Sequence, residues 1–414
     1  SSDVCSSDLA KEKRAAEERA KAEQERKLKE ALEQEQKRKA EEEQKRKAEQ
    51  ERIKRETEEK GLTDIYKVDG NYVYFGSYPQ TEIKNKALLS VLNEKAGSLP
   101  GKGNDHNWIS YKYYMDGSNE NPFMWFQDVE YNGEKYRGVY FTSYRPDYFS
   151  KSGVIKNSNQ SKVGYKTFTR YWFKYENIKW KILKKIDNKA LLFCEQAIDS
   201  QAYQNAIHGE TYQYVVHGIN IFTKEKEENF YKSAKFYNID SGVPSGTYAD
   251  NYKYCNIRKW LNETFYDIAF CEKQKEFIQT TCVDNSASSA LKASEIYNGY
   301  SCENTNDKIF LLSFKEVTAT DYKFKDSYVA DKERKKTASD YAKSQGCSAA
   351  AKSASSNCFW LLRSVDEHTA LCDQAYEPLG GKVKCIDLLG KVRSCDVGKN
   401  SCGIVPALWL DMSK

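Results

Sequence analysis

The sequence lacks any stretch of ~18 uninterrupted apolar residues, so no helical bilayer span is legible in it. None of its 12 cysteines are spaced C-x-x-C, and no two of its four histidines (His106, His208, His217 and His368) are spaced H-x-x-x-H. These absences argue against a zinc ribbon or a zinc-peptidase helix. There is no G-x-S-x-G elbow, no P-loop and no Asp/Asn loop of EF-hand spacing. A large charge excess is missing too. The net +5 over 414 residues implies neither nucleic-acid binding nor adsorption to a membrane. No cofactor or metal is expected.

What is present divides near Gly61. Residues 10–60 are almost entirely Lys, Arg, Glu, Gln and Ala, without Gly, Pro or an aromatic ring. They are strong helix formers, and Glu precedes Lys by four at Glu17/Lys21, Glu33/Lys37 and Glu43/Lys47, among others. The hexapeptide Gln36–Glu41 recurs as Gln44–Glu49. A spacing of eight does not hold an apolar seam on one face, as a heptad does, and the only large aliphatics are Leu28, Leu32 and Ile53. The segment therefore reads as a solvated single helix, a stalk of roughly 75 Å at about 1.5 Å per residue. A weak coiled coil that makes a homo-oligomer is the alternative. Ahead of it, residues 1–9 resemble a translated sequencing adapter. They are excluded from fold reasoning, and the natural N-terminus, with any membrane link, is expected upstream.

From residue 61 to 414 the chain is rich in Tyr, Phe and Trp. Tyr72–Gln80 reads as a strand, and residues 84–169 as an irregular aromatic-rich insert. Within that insert, Trp108–Tyr111 and Phe123–Phe126 read as short strands, and the Asn132-Gly133 dipeptide marks a hairpin turn. Period-two alternation from Ile178 to Ile186, a turn at Asp187-Asn188 and a return through Lys189–Glu195 make a second hairpin. Asn256–Tyr266 carries Ile257, Trp260, Leu261 and Phe265 on one helical face. Further helices are expected near Cys271–Gln279 and Thr337–Gln345, and a buried strand at Asp307–Ser313. Strands outnumber helices, which predicts an α+β domain with a mostly antiparallel sheet.

Two apolar segments close the chain, Asn357–Ser364 and Gly403–Leu410. The first contains Arg363, which must be paired or face a cleft, because burying a lone charge costs several kcal/mol. Cys347, Cys358, Cys372, Cys385, Cys395 and Cys402 cluster in this part. They read either as disulfides formed in an oxidising compartment or as small buried thiols in a reducing one, with the clustering favouring disulfides.

Ordered landmarks carry a family resemblance. They are Phe75–Gln80, Trp180–Leu183 with Ala190–Leu192, Ile257–Asn262, Asp307–Ser313, Tyr341-Ala342, Trp360–Ser364 and Pro406–Leu410. On these the chain resembles the bacterial family catalogued as domain of unknown function 6273. Members usually carry Arg just before the closing Pro-Ala-Leu, where this chain has Val405. The closing pattern is also similar to C-type-lectin-like and sulfatase-modifying-factor folds, which implies a compact mixed domain with a twisted antiparallel sheet and long loops. The expected function is a non-enzymatic binding or interaction module with a protein or glycan ligand, held on the helical stalk at the cell envelope or secreted. A cytoplasmic location is the alternative, as is an enzyme related to formylglycine-generating folds, although no catalytic motif of theirs is matched. The candidate ligand-binding residues are Trp360, Arg363, Ser364, Trp260 and Asn262.

Overall fold

The computed structural model describes residues 65–101, 105–111, 123–150, 153–156, 159–204, 212–216, 234–238, 242–290, 302–349, 357–366 and 381–413. The charged segment 10–60 and the adapter-like residues 1–9 lie outside the described residues. So do parts of the 84–169 insert, together with His208, His217, His368 and Cys372. The chain divides into two units, Ser1–Asp64 and Ile65–Lys414. All described residues belong to the second.

This unit is an α+β domain in which sheet dominates. Its larger sheet has ten strands, in the order Ile278–Gln279, Pro406–Asp411, Lys189–Cys194, Arg170–Ile186, Glu134–Phe141, Met124–Tyr131 and Ile109–Ser110, with three more strands on branches. The spine is Arg170–Ile186, a single 17-residue strand. The alternation beginning at Ile178 captures only its second half. Tyr72–Glu82 pairs with it antiparallel, as do Glu134–Phe141 and Lys189–Cys194. Trp172, Phe173, Ile178 and Trp180 on this strand are fully buried. Hydrophobic burial is the main favourable term in folding, so the strand anchors the core.

Both expected hairpins form. Asn132 and Gly133 have φ of 51° and 76°, the left-handed pair that a two-residue hairpin turn needs. That turn fixes the register from Tyr131 opposite Glu134 to Met124 opposite Phe141. The insert is less irregular than its composition predicts. Lys86–Ala96 is a helix, N-capped by the Asn85 side chain, which accepts from Leu88 N at 3.0 Å. Leu88, Leu89, Leu92 and Ala96 recur at helical spacing and pack against Trp108 and Trp172. The aromatic residues around them mask that period.

Asn256–Ala269 runs as a helix with a π turn at Leu261–Phe265. The expected Asp307–Ser313 strand is split. Thr305–Asp307 pairs with Thr281–Val283, while Phe310–Leu311 pairs with the closing strand.

A second, five-stranded sheet runs Asp199–Ser200, Gly403–Ile404, Trp360–Val365, Lys382–Ile386 and Val392–Asp396. Its pairings are antiparallel except that Trp360 aligns parallel to Gly403. The two apolar closing segments thus meet. Gly403–Ile404 belongs to the smaller sheet and Pro406–Asp411 to the larger, and buried Val405 carries the chain between them.

Gly403 has no room for a side chain. A Cβ there would lie 2.6 Å from Ala197 Cβ, 3.1 Å from Phe359 O and 3.2 Å from Cys347 Sγ. Gly403→Ala is expected to destabilise the domain by about 1–3 kcal/mol, the usual cost of overpacking a core. Urea unfolding would measure it, and an unchanged midpoint would show that the two sheets can separate there.

Candidate functional site

The five candidate residues do not converge on a cleft. Trp360 is fully buried, and its indole N–H donates to Arg334 O at 2.9 Å. Arg363 Nη1 donates to Leu311 O at 2.6 Å and Glu316 Oε2 at 2.5 Å, while Nη2 donates to Asp284 O at 3.1 Å. Ser364 Oγ accepts from Phe314 N at 2.8 Å. Neighbours on a regular strand face opposite ways. A register shift between Leu361 and Val365 accompanies the reach of both side chains to one segment.

Asn262 sits in the π turn. Its amide nitrogen donates to Arg258 O at 3.0 Å and Ile309 O at 2.9 Å, and its Oδ1 accepts from Lys308 N at 2.8 Å and Ile309 N at 3.1 Å. Trp260 stacks on Phe265 with ring centroids 5.4 Å apart. Asn262 therefore grips Lys308–Ile309, and Arg363 with Ser364 grips Leu311–Phe314. The polar landmarks hold one segment from both ends. The charge inside the apolar run takes the paired alternative: Glu316, its partner, also accepts from Ser313 N at 2.7 Å in the capping box of the Phe314–Val317 helix.

A polar network that runs inward from exposed Asp128 to buried Asp199 and Arg145 lies elsewhere, and sequence reasoning missed it. Arg137 donates to both carboxylate oxygens of Asp128 at 2.8 Å, and Tyr175 O–H donates to Asp128 Oδ2 at 2.8 Å. Burial pushes the Asp128 carboxyl up, but Arg137 and then Lys135 outweigh it and hold it well below the usual carboxylate range. Farther in, the Tyr111 and Tyr341 hydroxyls are 2.8 Å apart, and Tyr78 O–H donates to Asp199 Oδ2 at 2.7 Å. Burial pushes the Asp199 carboxyl up despite that bond.

Arg145 is fully buried, and donates to Gln345 O at 2.7 Å, to Asn400 Oδ1 at 3.0 Å and to Ser200 O. One signal for this network was available. The Asn-Gly turn sets Asp128 directly opposite Arg137, so their pairing follows from counting back along the hairpin. The bond of Tyr78 to Asp199 and those of the Arg145 guanidinium to Ser200, Gln345 and Asn400 span 55 to 255 positions and have no local signature.

The ten cysteines among the described residues are free thiols. In the C-terminal cluster, Cys347 touches Cys358, while Cys395 touches both Cys385 and Cys402. Among the described residues no group of three His, Cys, Asp or Glu is placed to hold a metal ion. No helix there is long and apolar enough to cross a membrane.

The surface of the described residues carries an open depression of about 580 Å³, lined by Lys181, Lys323, Lys325, Asp331, Lys332 and Glu333. Lys181 projects from the spine strand and pairs with Glu333 at 2.6 Å. Asp331 is buried, and its carboxylate accepts from Lys325 N at 2.8 Å and Glu333 N at 3.0 Å, fixing the loop that presents the lysines.

The fold and these clamps define an α+β domain built around the Lys308–Phe314 segment. Residues 233–412 match the family model described as Domain of unknown function (DUF6273), and this part of the chain belongs to that family. No curated protein and no solved structure matches the chain. Val405, where the resemblance implies Arg, has no exposed surface.

Arg363→Met is expected to destabilise the domain by about 3 kcal/mol, because it strands Glu316 and two carbonyls. A change near zero in chemical unfolding would mean that the arginine is not part of the structural frame. Asp250 supplies a pH test. Burial, with Asp366 adding to it, pushes its carboxyl up to about 8. Unfolded Asp ionises near ~3.9, so folding stability should fall by a few kcal/mol as pH rises from about 4 to 8. Asp250→Asn should remove that fall, as read from unfolding midpoints across this window. A fall that persists in the variant would assign it to another group.

Proposed function

We propose that the chain is a binding module and that its contact surface is the lysine-lined depression, with an acidic protein surface as the ligand. The observation that carries this reading is the lining itself, in which four lysines outnumber two carboxylates on an open, shallow face. Lys332 keeps 86% of its side chain exposed, and Lys323 stands at a left-handed turn after Thr320–Tyr322. The lining has no aromatic ring to stack on a sugar and no arginine fork to clasp a phosphate, which favours diffuse attraction to a protein carboxylate surface over glycan or nucleotide recognition. Such lysines speed encounter and set salt dependence more than they deepen affinity. The reading includes presentation on the charged N-terminal segment, at the cell envelope or outside it, by a domain of C-type-lectin-like kind.

The test is binding to polyglutamate, with a sulfated polysaccharide and a neutral glycan alongside. Polyglutamate should bind at low salt and weaken as salt rises. The combined change Lys323→Glu, Lys325→Glu and Lys332→Glu should weaken it by about tenfold or more, since each exposed charge contributes up to ~1 kcal/mol. Equal binding by the triple variant, or tighter binding of the neutral glycan, would sink the proposal.

A further inference from the structure

We propose that Cys385, Cys395 and Cys402 form a thiol–disulfide exchange site, in which Cys395 is the central sulfur and can bond to either neighbour. The argument begins with placement. Cys385 and Cys395 lie on adjacent antiparallel strands, and the register pairs Val383 with Cys395 and Cys385 with Arg393. Residues two apart on a strand share a face, so both thiols occupy the same face as diagonal neighbours. Their side chains hydrogen-bond.

Cys402 arrives by a different route. After Cys395 the chain turns, with Val397 N donating to Gly381 O and Lys399 N to Asp396 O, both at 3.0 Å. It then re-enters the sheet at Gly403–Ile404. This return puts Cys402 Sγ 3.1 Å from Cys395 Sγ. A disulfide needs about 2.05 Å, so roughly 1 Å of approach separates the two states.

The chemistry suits exchange. Hydrogen bonds from Cys385 and then Cys402 hold the Cys395 thiol well below its ordinary range, and the thiolate is the attacking form. Bonding to Cys395 raises the other two. The co-reactant is a small disulfide such as oxidised glutathione. Cys395 thiolate attacks one of its sulfurs, forming a mixed disulfide and releasing one thiol. Cys402 thiolate then attacks Cys395 Sγ, closing the protein disulfide and releasing the second thiol. The protein loses two protons and two electrons, and the oxidant gains both. Attack by Cys385 on Cys395 would move the bond and free Cys402 without net oxidation. Val392–Asp396 ends the order of the five-stranded sheet, so Cys395, though buried, can be uncovered by opening of one strand.

The location gives the bond a structural reach. Between Cys395 and Cys402 lies Asn400, whose side chain accepts from Arg145 and whose carbonyl accepts from Ser200 Oγ at 2.9 Å. Closing Cys395 to Cys402 would tether the loop that holds the buried arginine.

The experiment equilibrates the reduced full chain in oxidised and reduced glutathione, traps free thiols with N-ethylmaleimide, and maps the peptides by mass spectrometry. The wild-type chain should lose two of the three thiols to a Cys395–Cys402 bridge. Cys402→Ser should move the bridge to Cys385–Cys395, and Cys395→Ser should leave none among the three. Cys385→Ser should keep Cys395–Cys402, and serves if Cys402→Ser does not fold. Full alkylation of all three in the oxidised wild type, glutathione adducts alone, or a Cys385–Cys402 bridge would overturn the assignment.

Discussion

The structure depends on how closely Gly403 approaches its neighbours. At this residue the chain lies against Ala197, Phe359 and Cys347 at distances that leave no space for a Cβ. Asp199–Ser200 pairs with it on one side and Trp360 on the other. Three residues later, at Pro406, the chain has crossed to the larger sheet, where Ala407 to Asp411 run antiparallel to Phe193 to Lys189. One short segment therefore supplies ladder hydrogen bonds to both sheets. Its position controls the loop before it, and so the Asn400 and Cys402 contacts to Ser200.

The second constraint is the Lys308–Phe314 segment, which lies between the helix and the smaller sheet. Its backbone polar groups are too buried to be left to water, and an unmet one costs about as much as a lost hydrogen bond. Asn262 satisfies three of them, while Arg363 and Ser364 satisfy two more. This explains why polar residues sit inside otherwise apolar landmark motifs. They are spent on backbone, and the arginine also completes a helix cap through Glu316. A ligand-facing role for them would leave those groups unpaired. Of the lysines around Lys181, Lys325 bonds to backbone, its Nζ donating to Ala330 O at 3.3 Å, while Lys181 and Lys332 pair with Glu333.

Redox chemistry and packing share the C-terminal part. Thiols are among the most readily buried side chains, and here five of them cluster in two sets beside the same Gly403 approach. The packing brings Cys395 and Cys402 near bonding distance while leaving them reduced. The compartment then decides which state the chain holds.

Local chemistry alone determined the α+β class, both hairpins, the helix that begins at Asn256 and the two closing strands. Period-two alternation, Asn-Gly turn geometry and one-sided apolar spacing act over a few residues and are readable at that range. The Asp128–Arg137 pair was within reach too, because a hairpin turn dictates what stands opposite what. The 84–169 stretch misled the reading because its aromatic residues hide the Leu88–Ala96 period, and the π turn at Asn262 has no signature in residue order. Only tertiary structure decided that Arg363 is paired, that Tyr78 meets Asp199 and Arg145 meets Asn400, and that three cysteines share one spot. The Arg363, Tyr78 and Arg145 contacts join residues 47 to 255 positions apart. Their partners are set by how two sheets pack around one glycine, which residue order does not encode locally.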